Sequence, residues 1–100
     1  MTQDVLYRRG TIIVFKARHG YVVHNTKKDF EKGHTHFVKL HSAKSAARMA
    51  QEKTIPNAGG FYFLTSLQRI STDENYIRRI DERKAKLYNP NKERGKNNVS

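Results

Sequence analysis

Four alanines recur at the spacing of one helix face. In "SAKSAARMAQEK" Ala43, Ala46, Ala47 and Ala50 fall at i, i+3, i+4 and i+7. A stripe of methyl groups lets a helix lie close against a sheet, and the preceding residues read as that sheet. "TIIVFK" (11–16) is rich in β-branched and aromatic residues, which pack well on a pleated surface. "RHG" (18–20) reads as a tight turn in which Gly20 can take a positive φ. "YVVHN" (21–25) follows as a second strand, so the pair is a hairpin. After the polar loop "TKKDFEKG" (26–33), "HTHFVKLH" (34–41) reads as a third strand.

Ser42 is the expected N-cap of the alanine-striped helix, which spans about 43–53. Its residues are mostly good helix formers. "TIPNAGG" (54–60) breaks it at Pro56. A second helix is expected over about 60–70, with Phe63, Leu64, Leu67 and Ile70 on its apolar face. "STDE" (71–74) has the capping-box pattern, with Ser71 as cap and Glu74 reaching back. The third helix then runs over about 73–88, with Ile77, Ile80 and Leu87 on one face. Asn89-Pro90 ends it. The fold class is therefore α+β: a three-stranded antiparallel sheet over about 11–41, then three helices. One domain is expected over 1–89, and a flexible, disordered basic tail over 90–100.

The chain has 100 residues, enough for one compact domain. It has no cysteine, which excludes disulfides and thiolate zinc sites. No apolar run approaches the ~18 residues of a membrane span. "MTQDVLYRRG" lacks an apolar stretch, so no signal peptide is expected, and the expected setting is the cytoplasm of a bacterial host.

Charge says most about partners. Twenty Lys and Arg face nine Asp and Glu, a net charge of +11. Such a balance attracts polyanions, nucleic acid above all, and also acidic protein surfaces. Lys16 and Arg18 share one parity of the first strand with Val14; Phe37, Lys39 and His41 share one parity of the third. A sheet face mixing aromatic, basic and His side chains can enter a major groove or stack on bases. Lys27 and Lys28 lie in the second loop, and Lys44 and Arg48 on the polar side of the first helix. Arg78, Arg79, Arg83 and Lys86 extend the candidate binding surface to the third helix. Basic residues near that helix's end also suit its dipole, so part of this run is ordinary helix design.

"GHTHFVKLH" gathers His34, His36 and His41, with His24 upstream. Alternation separates His41 from the other two. A zinc site of three imidazoles and a water would need His24 to join His34 and His36, with Asp29 and Glu31 as nearby carboxylates. A small metal nuclease also needs a ligand on the following helix, which has no His or Asn. No metal, cofactor or catalytic residue is therefore expected; a metal-dependent nuclease using the His cluster is the enzymatic alternative.

Three strands followed by a helix carrying "SAKSAA" resemble the DNA-binding module of integrase N-terminal domains and plant ethylene-response factors. The likeness covers about 11–53 and lacks the aromatic-rich strand motifs of the plant family. It implies a sheet face lying in the major groove. The whole chain is similar to small uncharacterised basic proteins of bacterial prophages and mobile elements. That likeness implies no established activity. The basic surface suits two functions: a non-enzymatic DNA- or RNA-binding protein, or an anti-CRISPR type inhibitor docking on a host nucleoprotein effector.

Overall fold

The computed structural model describes residues 4–57 and 60–88. Its sheet has four antiparallel strands in the order β1-β2-β3-β4: β1 (Val5–Arg9), β2 (Ile12–Ala17), β3 (Gly20–Asn25) and β4 (His34–Phe37). Three helices follow: α1 (Leu40–Glu52), α2 (Phe61–Arg69) and α3 (Glu74–Tyr88). The α+β class and the helix order agree with the sequence reading. The expected tail over 90–100 lies outside the described residues.

The sheet gains a strand that the sequence reading missed. β1 pairs with β2 from Arg9↔Ile12 to Val5↔Phe15, with an irregularity between Val5 and Tyr7. Its two arginines dilute the apolar alternation, but Gly10, at φ +62, turns the chain back as strand-ending glycines do. At the next turn Gly20 sits at φ +112, and a Cβ there would lie 2.5 Å from the Phe37 carbonyl oxygen. The β2–β3 tip is thus seated against the chain entering α1.

β4 is shorter than expected and α1 longer. The strand ends at Phe37, the helix begins at Leu40, and Lys39 occupies the N-cap position without a side-chain cap. Ser42 lies inside the helix. The reason is in the stripe: Leu40 precedes Ala43 by three residues, so it extends the same buried face, and it packs on the core.

Registers define two sheet faces. Ile12, Val14, Val23 and Phe37 point toward the helices and join Ala43, Ala46, Ala47 and Ala50 in one core. Leu64, Leu67, Ile70, Tyr76 and Ile80 complete it. On α3 the buried pair is Tyr76 and Ile80, while Leu87, two turns further along the face of Ile80, is 43% exposed. The Tyr76 hydroxyl donates to the Thr54 carbonyl at 2.8 Å. Burial pushes that hydroxyl's ionisation well above the usual phenol range, with Arg79 opposing.

The α3 cap also differs from the expected box. Asp73 accepts the Tyr76 N–H at 2.8 Å, and Ser71 Oγ accepts the Asp73 N–H at 3.1 Å. Asp73 therefore caps the helix, and Ser71 shapes the turn before it. No helix among the described residues is long and apolar enough to cross a membrane.

Candidate nucleic-acid interface

The histidines occupy the sheet face turned away from the helices. His24 lies directly across from His34 on the neighbouring strand, and His36 follows on the same parity. The 26–33 loop folds over them. Phe30 stacks on His34 with ring centroids 4.0 Å apart, and meets His24 edge-on at 5.2 Å. His24 Nε2 is 3.0 Å from the Lys28 carbonyl, and His34 Nδ1 contacts the Phe30 carbonyl. A carbonyl only accepts, so both ring nitrogens carry their proton and donate. These two rings thus support the loop. Among the described residues no three His, Asp or Glu gather closely enough to hold a metal ion. His41 stands apart on α1, and its expected strand face with Phe37 and Lys39 does not form.

Lys28, a candidate for phosphate contact, is committed to the fold. Its Nζ donates to the carbonyls of Arg69, at 2.8 Å, and Ser71, at 3.1 Å, closing the C-terminal end of α2. Burial lowers its pKa, and the charge of Arg69 lowers it further. Asn25, itself buried, donates to the Ile70 carbonyl at 2.9 Å. Arg69 returns the contact: Nε donates to the His34 carbonyl at 2.7 Å and Nη2 to the Glu31 carbonyl at 2.9 Å. Loop and helix end clamp each other. Arg83 likewise holds the Pro56 carbonyl at 2.7 Å.

The expected sheet face does not lie open, because Val14 is fully buried and Phe37 nearly so beneath the helices. Lys16 escapes at the end of β2, where its Nζ lies 5.3 Å over the Tyr21 ring. Lys44 does the same from α1, with Nζ 5.6 Å over the Tyr7 ring of β1. Arg48 follows Lys44 by one helical turn on the same side. Lys39 starts the helix, and Arg18 lies in the β2–β3 tip seated against that start. Among the described residues none of these five cations forms an ion pair; the two pairs present are Arg9–Glu52 and Lys53–Asp73, the latter at 3.6 Å. Lys27 is exposed in the 26–33 loop.

The α3 cations form a second group. Arg79, Arg83 and Lys86 line an open cleft of about 540 Å³ with Lys53, Thr54, Ile55 and Glu82. Arg78 is exposed on the same helix. Lys53 closes the C-terminal end of α1 and Lys39 opens its N-terminal end, roughly 20 Å away at 1.5 Å per residue, with Lys44 and Arg48 between them.

The tyrosines beneath Lys16 and Lys44 were not singled out in the sequence. Their signal is the cross-strand register, which pairs Lys16 with Tyr21 and appears only once the strands are aligned. Compared with known protein families, curated proteins and solved structures, the chain has no significant match.

Proposed function

We propose that the protein binds nucleic acid, without chemistry on it, through the surface formed by α1 and the adjoining strand ends. The observation carrying this reading is the gathering of Lys16, Arg18, Lys39, Lys44 and Arg48 with no acidic partner among the described residues. Two of the cations hold their ammonium groups over tyrosine rings, which orients them without neutralising their charge. The second basic group on α3 adds attraction for a long polyanion.

A fluorescence anisotropy titration against DNA and RNA at several salt concentrations tests this. Lys44→Glu combined with Arg48→Glu is expected to lower the salt slope by about two, one unit per phosphate contact, and to weaken binding strongly. Circular dichroism serves as the folding control. Equal binding by parent and variant would remove α1 from the interface. A parent without salt-dependent binding below about 10 μM, within the usual non-specific range, would end the nucleic-acid reading.

An acidic protein partner is the second reading. The observation favouring it is the outer edge of β1, which no strand of the described residues pairs with and which carries the exposed Arg8. An acidic extended segment would add to that edge.

A further inference from the structure

Two clefts meet at one tyrosine. The first, about 390 Å³, is lined by His19, His36, Phe37, Val38 and Tyr62. The second, also about 390 Å³, is polar, and its lining includes His34, His36, Tyr62, Thr65, Ser66 and Arg69. His36 and Tyr62 are common to both. The Tyr62 hydroxyl donates to the His36 carbonyl at 2.7 Å, and this bond explains the hydroxyl: it closes the edge of β4. It does not explain the ring, which is 61% exposed, nor its neighbour Val38, which is 84% exposed. Phe37 meets the Tyr62 ring at 6.1 Å, edge to face, so the ring is braced from one side and open on another.

The second cleft offers a cation with unused donors. Arg69, in the same cleft, already donates through Nε and Nη2, which leaves Nη1 for a ligand. The apolar cleft adjoins Lys39, the residue after Val38, and Arg18 in the tip beside it.

Resting on the nucleic-acid reading, we infer that this double cleft receives an unpaired nucleotide of a single strand. The base stacks on Tyr62 against Val38 and the imidazole of His36 or His19. The sugar and phosphate lie toward Arg69, and the flanking phosphates meet Lys39 and Arg18. A base inside a duplex presents no free face to such a slot; an unpaired base does. The protein is therefore a single-strand binder in preference to a duplex binder.

The test uses labelled oligothymidylate and oligouridylate of about 12 nucleotides, within the usual site size of one fold, and a blunt duplex of equal length. Anisotropy is followed at several salt concentrations. Tyr62→Ala is expected to weaken single-strand binding roughly 5- to 150-fold, the worth of one stacked base, with the salt slope unchanged. Duplex binding should not move. Tyr62→Phe keeps the ring and should bind like the parent. Val38→Asp, at a position without a packing role, should weaken single-strand binding as well, so the outcome does not hang on one variant's folding. Equal affinity of the parent for all three probes, or a loss in Tyr62→Ala equal on single strand and duplex, would overturn the double cleft while leaving the α1 surface standing. A parent that binds none of them overturns both readings. The deoxy and ribo arms show which sugar the polar cleft prefers.

Discussion

Gly20 is the residue on which the sheet's seating depends. Its φ of +112 is outside what a side-chain-bearing residue readily adopts, and a Cβ would meet backbone, which has no freedom to withdraw. Gly20→Ala is expected to cost about 1–3 kcal/mol from backbone strain alone, with the contact to Phe37 adding to it. Each kcal/mol lowers the melting temperature of a domain this size by roughly 4–8 °C, so a thermal melt reads the effect directly. An unchanged melt would mean that the tip does not lean on the start of α1. This glycine was legible in the sequence, because "RHG" between two β-prone runs asks for it. Lys28 was not. A lysine in a polar loop reads as solvated, and only the folded chain shows it spanning to α2 through two carbonyls.

Among the elements, α1 was the most legible and its ends the least. The alanine stripe is buried as expected, with Ala43, Ala46 and Ala47 wholly covered. Ala47→Leu overpacks that contact and is expected to destabilise by about 1–3 kcal/mol, measured as a lower urea midpoint. Its start was misplaced because "VKLH" alternates like a strand, while tertiary packing uses Leu40 as the first helical anchor. The cap of α3 was misplaced for a related reason. Ser71 and Asp73 both cap well in isolation, and the helix phase set by buried Tyr76 selects Asp73. The Asp73 carboxyl titrates below its ordinary value, chiefly because it accepts the Tyr76 N–H; partial desolvation opposes this and Lys53 adds to the lowering. A depressed carboxylate stabilises the fold above the unfolded value and stops doing so as pH falls through the folded one. Asp73→Ala should therefore be less stable than the parent near pH 6, and the gap should begin to narrow only below about pH 4, closing by about pH 2 as pH falls through the lowered folded value. Denaturant midpoints at the highest and lowest of these pH values check this; a gap of equal size at both would assign the loss to something other than the charged cap.

For the whole molecule, charge and class were readable, and the arrangement of the surface was not. Net charge depends on composition alone, whereas the binding face depends on which side of the sheet the helices cover. Strand parity gave two faces and no means of choosing between them, and the face that looked mixed and basic became the core. The missed strand β1 changed more than a count. With β1 at one end and β4 at the other, the two borders of the sheet are unlike. Tyr62 and Arg69 of α2 occupy the outward carbonyls of His36 and His34, while the border at β1 carries no strand among the described residues. Growth of a sheet from copy to copy needs two free borders, one to receive and one to offer. Among the described strands, a copy that pairs through β1 has no second open border to present, so joining of these sheets edge to edge stops at two copies.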